Sequence, residues 1–142
     1  MFENTTDGYG VITNCSSLRT LELPERTISI GNNAFIDNAA LTSVNIPANV
    51  TFIGKNVFGR CTSLQTITFA EQGKLTSLGE GVFSGIQSLE SVVLPKGLQT
   101  VDALAFSGCT NLVLPPDFSH VFEEVNYISD SFFRYTFADC TS

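Results

Sequence analysis

The sequence has no tryptophan, a single histidine and only 7 lysines and arginines among 142 residues. Each shortage argues against a class of function. No run of Lys or Arg exists to neutralise successive phosphates, and 14 acidic residues bring the net charge to −7, so nucleic acid and anionic membrane surfaces are poor partners. No apolar stretch approaches the roughly 20 residues that a spanning helix requires, so direct membrane insertion is not expected. The opening MFENTTDGYG has neither a basic segment nor an apolar core of the kind an export signal carries.

Reactive groups are equally sparse. The four cysteines, Cys15, Cys61, Cys109 and Cys140, form no C-x-x-C pair and have no histidine at ligand spacing, so no zinc site is expected. His120 stands beside Ser119 and near Glu123 and Glu124, but no nucleophile, base and orienting group assemble around it. The chain is therefore not read as an enzyme, and no cofactor or metal is expected. Gly8-Tyr-Gly10 and Gly79-Glu-Gly81 do not fit the glycine-rich strand-to-helix signatures of phosphate loops and read as caps and turns. Asp117, Glu123, Glu124, Asp130 and Asp139 match no calcium-loop spacing and read as solvated acidic positions. Three triplets, beginning at Asn4, Asn14 and Asn49, fit the glycosylation acceptor pattern, which arises often by chance.

What is abundant is phenylalanine, 12 residues, four of which recur with a period. ISIGNNAFIDNAAL, TFIGKNVFGRCTSL, TSLGEGVFSGIQSL and QTVDALAFSGCTNL align without gaps on Phe35, Phe58, Phe83 and Phe106, which are 23, 25 and 23 residues apart. Between these segments runs a second shape, LRTLELP, LTSVNIP, LQTITFA and LESVVLP, in which apolar residues alternate and a proline usually follows. Period-2 alternation predicts short strands with one buried face near residues 19–23, 42–46, 65–69 and 90–94, and a proline stops such a strand because it cannot donate to the ladder. Gly31, Gly54, Gly79, Asp102 and Ser129 precede the anchors and are favoured helix N-caps, which predicts a short helical turn after each. On such a turn the anchor and the residue three later share a face, and that later position is Asn38, Cys61, Ile86, Cys109 and Cys140. The cysteines there read as free, buried, small fillers.

Units this small cannot bury their own apolar residues, so copies must stack into a continuous core. The expected fold is a right-handed leucine-rich repeat solenoid, with short parallel strands and short helical turns, forming one domain of about five repeats over residues 1–142. The pattern I-G-x-x-A-F-x-x-C-x-x-L-x-x-V-x-I-P resembles the BspA-like leucine-rich repeat family, a 23-residue class found in many bacterial cell-surface proteins and in some protists. That resemblance covers residues 15 to 142 and implies an extracellular or cell-surface location. It also implies a parallel sheet lining one face, as in family members similar to adhesins that bind host matrix proteins or other bacteria.

Three departures from the pattern stand out. AEQGKLTSL carries two extra residues, the fourth strand is clipped to LVLPP at 112–116, and DFSHVFEEVNY precedes a last copy whose anchor is either Phe133 or Phe137. The chain stops at Ser142, one residue before the leucine that closes C-T-S-L at 61–64, which reads as a cut within a longer array and predicts end-to-end self-association or fraying.

Between the buried strand positions lie Thr20 and Glu22, Ser43 and Asn45, Thr66 and Thr68, and Ser91 and Val93. Stacked, these eight form a hydroxyl- and amide-rich face with little charge, the candidate surface for a protein or glycan partner. The leading expectation is a non-catalytic adhesion or protein-binding module; the alternative is a structural spacer with no ligand of its own.

Overall fold

The structure is a computed structural model that describes residues 12–113, 136 and 138–140. The chain coils into stacked rungs, of which the first three carry two short strands and a tight corner and the fourth carries one strand and a corner. The first sheet holds β1 (Thr20–Glu22), β3 (Ser43–Ile46) and β5 (Thr66–Phe69), in that order. The second holds β2 (Ser29–Ile30), β4 (Phe52–Ile53), β6 (Ser77–Leu78) and β7 (Thr100–Val101). All pairings are parallel and keep the repeat in register: Leu21 lies opposite Val44 and Val44 opposite Ile67, while Ile30, Ile53, Leu78 and Val101 form the equivalent row of the second sheet.

Proline acts as the alternation predicts. The chain leaves the first sheet through a turn closed by Thr27 N–H on Pro24 O, Val50 N–H on Pro47 O and Leu98 N–H on Pro95 O. Inside, Phe35, Phe58, Phe83 and Phe106 stack with ring centroids 5.6, 5.9 and 5.3 Å apart. All four are buried among the leucines that close each segment, Leu41, Leu64, Leu89 and Leu112. Burial of each ring contributes roughly 1.5–3 kcal/mol, so the spine is a principal source of stability.

Two sequence-based expectations are corrected. No helical turn follows Gly31, Gly54, Gly79 or Asp102; among the described residues these corners are non-helical turns. A helix uses its N–H groups on carbonyls four residues back, whereas here they point along the solenoid axis: Asn33, Phe35 and Asp37 donate to the carbonyls of Lys55, Val57 and Gly59 on the next rung. Gly54 and Gly79 are there for space rather than for capping. A Cβ on Gly79 would sit 2.5 Å from the carbonyl carbon of Gly54, the same position one rung earlier. The second correction is that residues 90–94 form no strand, although Val92 and Leu94 remain buried, so the first sheet ends at β5.

The corner is shaped by left-handed backbone at two fixed places. Two residues before the anchor stand Asn33, Asn56, Gly81 and Leu104, with φ of 56°, 51°, 61° and 62°. Two residues after it stand Asp37, Arg60, Gly85 and Gly108, with φ of 64°, 58°, 74° and 74°. Positive φ at both flanks prevents the segment from continuing as a right-handed helix.

The same geometry resolves the register of the last copy. Phe106 N–H donates to Thr136 O and Gly108 N–H to Ala138 O, both at 2.8 Å, as Phe83 and Gly85 donate to Ala105 and Ser107. Asp139 has the left-handed φ of 63° found two residues past each anchor. The repeat frame therefore counts from position 137. Phe133 and Phe137 themselves lie outside the described residues, as do His120, Ser129 and the acidic positions from Asp117 to Asp130.

Candidate functional site

The eight positions of the candidate face separate into two groups. Thr20, Ser43 and Thr66 are register partners across the first sheet, and Glu22, Asn45 and Thr68 form the adjacent row. Ser43 is half-buried and the other five are exposed, because successive residues of a strand point to opposite sides and Leu21, Val44 and Ile67 take the core side. Along the second row Thr68 Oγ1 donates to Asn45 Oδ1 at 2.9 Å, so part of the polar surface is joined from strand to strand. Ser91 and Val93 are brought beside Thr66 and Thr68 but not onto the same sheet.

Where the sheet ends, a groove of about 290 Å³ opens between β5 and residues 91–93. Its floor includes Ile67 and Val92, its walls carry Thr66, Thr68 and Ser91, and Val93 on the far lip is 79% exposed. Gln65 and Phe69 also line it and are absent from the sequence-based face. Gln65 lies one residue ahead of the strand, and the alternation assigns Phe69 to the core, whereas its ring is only half-buried at the strand end. The weak signal for both was their place at the margins of an alternating run, where pairing decides orientation.

Two ion pairs lie at the corners, apart from this face. Asp37 and Arg60, equivalent positions on successive corners, form a two-pronged ion pair with both N–O distances at 2.6 Å. Hydrogen bonding to the Arg60 guanidinium holds the Asp37 carboxyl below its ordinary range. Lys55 and Glu80 pair at 2.8 Å in the same corner region. Both pairs tie one rung to the next, and solvent screening leaves exposed pairs of this kind weak.

All four cysteines are free. They are more than fillers: Cys61, Cys109 and Cys140 each direct Sγ to the carbonyl oxygen of the preceding rung's anchor, Phe35, Phe83 and Phe106, at 3.3, 3.1 and 3.3 Å. Asn38 takes the equivalent role on the first full rung. Its Nδ2 donates to Ile12 O at 2.7 Å and to Phe35 O at 2.8 Å, while its Oδ1 accepts from Cys15 N–H. Burial pushes the Cys61 thiol up to about 11 and the Cys109 thiol up to about 12. Raised in this way, they are poor nucleophiles near neutral pH. Asn49, in one of the glycosylation triplets, uses its amide within the fold, donating to Glu25 O and accepting from Lys74 Nζ. Among the described residues no group of three or more His, Cys, Asp or Glu gathers, and no helix is long and apolar enough to cross a membrane.

Parallel two-sheet rungs closed by leucines and a phenylalanine spine define a leucine-rich repeat solenoid. The chain belongs to the BspA type leucine rich repeat region, which it matches in six copies over residues 8–114. None of the curated proteins matches the chain in sequence. Among solved structures it is similar to a leucine rich cell surface protein from Faecalibacterium prausnitzii A2-165, with 28% identity and a TM-score of 0.67, covering 96% of this chain and 40% of that one. It also shares the fold of a leucine-rich repeat protein from Bacteroides ovatus ATCC 8483, with 22% identity and a TM-score of 0.55, covering 73% of this chain and 33% of that one. The chain thus spans well under half the length of either protein. Families of this kind are generally protein-binding or structural, and typically not catalytic.

Proposed function

We propose that this chain is a non-catalytic recognition module, displayed at the cell surface, that captures a protein or glycan partner on the outer face of its first sheet. The observation that carries this reading is the pair of exposed rows, Thr20, Ser43, Thr66 and Glu22, Asn45, Thr68, held in register by the sheet beneath them. Rows of hydroxyl and amide groups offer many hydrogen bonds over a broad area. They lack the Trp, Tyr and Arg anchors that dominate tight interfaces, so each repeat contributes little and several repeats act together. The surface location is supported by the likeness to the F. prausnitzii cell surface protein. A host matrix protein or another bacterial surface is a partner consistent with adhesion.

The test is retention of wild type and an Asn45→Arg/Thr68→Glu variant on immobilised candidate partners, with thermal melts of both. The exchange adds bulk and charge without changing net charge, and both side chains are exposed. Reduced retention with an unchanged melting temperature is expected. Equal retention would remove the sheet face from consideration and leave the spacer reading, in which the inter-rung hydrogen bonds serve rigidity alone.

A further inference from the structure

We propose that the groove between β5 and residues 91–93 is a subsite for one sugar ring of a neutral glycan. It deepens the sheet-face reading by naming a place and a ligand class. Rungs three and four stay joined on the second sheet, where β6 pairs with β7, and at the corner, where Phe83 stacks on Phe106. On the first sheet the same two rungs are not paired, because that sheet ends at β5. The opening coincides with the rung that carries two extra residues in its turn, between Phe69 and Leu75. The result is a wedge of about 290 Å³ in the otherwise continuous outer face. That volume lies near the lower end of small-molecule sites, about 300–1,000 Å³, and suits a single ring rather than an extended peptide.

The lining chemistry selects the class. None of the residues around the groove is ionisable. Among the described residues, the side chains of Gln65, Thr66 and Ser91 have no hydrogen-bond partner within the protein, in contrast to Thr68, which is tied to Asn45. One amide and two hydroxyls can both donate and accept, which matches a ring bearing several hydroxyl groups. Phe69 and Val93 supply apolar contact for the C–H face of such a ring. A net charge of −7 disfavours acidic polysaccharides.

The experiment is affinity electrophoresis of the 142-residue chain through gels containing mannan, xyloglucan or mixed-linkage β-glucan, with heparin and polygalacturonate as acidic counterparts. Retardation by at least one neutral polysaccharide and by neither acidic one is expected. Loss of hydrogen bonds in Gln65→Ala/Ser91→Ala should weaken it by about tenfold. Ser17→Ala, an exposed hydroxyl ahead of β1 and outside the sheet face, should leave it unchanged. All three proteins are exposed-site variants or wild type, and circular dichroism checks that they fold alike. Retardation by no neutral polysaccharide, equal retardation by heparin, or full binding by the double variant would each overturn the sugar site. Partner capture that still depends on Asn45 and Thr68 after such a failure would leave the broader sheet-face reading standing.

Discussion

The corner positions two residues either side of the anchor show how single side chains answer a backbone demand. Asn, Asp and Gly occupy most of the left-handed positions, as expected of residues that tolerate positive φ. Arg60 at φ 58° and Leu104 at φ 62° are the exceptions, and of the two only the leucine is apolar. Holding a leucine in that region costs about 1–2 kcal/mol, so Leu104→Asn should raise stability by about 0.5–1 kcal/mol. Urea unfolding of the two proteins measures the difference, and an unchanged or lower midpoint would show that the leucine's packing outweighs its strain. The buried thiols make a second prediction. Cys61 and Cys109 titrate at about 11 and about 12 in the folded chain, against an ordinary 9.0. Below pH 9 both folded and unfolded chains hold these protons; above it the unfolded chain releases them first, so the unfolded state gains. Stability should therefore decline from about pH 9 toward about pH 12, and the decline should be shallower in Cys61→Ala/Cys109→Ala. Equal slopes for both proteins between pH 8.5 and 10 would contradict the assignment.

Each strand is only two to four residues long and has no stability of its own. What holds it is its neighbour on the next rung, so pairing decides whether an alternating segment becomes a strand at all. LTSVNIP and LESVVLP carry the same alternation, and Val92 and Leu94 are buried as Val44 and Ile46 are. Only the first forms a ladder. Alternation specifies which side chains go inward, a local property; pairing depends on the distance to another rung, which no segment encodes alone. Hydrogen exchange should register the difference: amides of residues 91–94 should exchange faster than those of Val44–Ile46. Equal protection would mean that the sheet closes in solution and that the groove is not a persistent feature. The corners make the related point, since Gly31, Gly54 and Gly79 suit a helix cap and a close approach equally well. Only the stacked rung shows that close approach is the reason for glycine at position 79.

As a whole the molecule is a one-dimensional stack in which each rung contacts its neighbours and few contacts reach further. Phe58 is sandwiched between Phe35 and Phe83, so Phe58→Ala removes ring contacts on both sides. The loss should be about 3–5 kcal/mol, and a break at the centre should uncouple the rungs on either side. Denaturation of the variant should show two steps or a reduced slope where wild type shows one cooperative transition. A single transition with the wild-type slope would indicate that coupling runs mainly through the sheets. The period, the phenylalanine row, the inward strand residues and the rows of outward hydroxyls were legible in the order of residues, because spacing in a repeat translates directly into position on a rung. The register of the last copy, the thiol contacts to the preceding anchor and the left-handed corners were not. They are relations between rungs, set by hydrogen bonds across 23 or more residues. The groove belongs with these: Gln65, Phe69 and Ser91 meet only because two rungs that pair on one sheet do not pair on the other, and a spacing common to every repeat carries no mark of where that pairing stops.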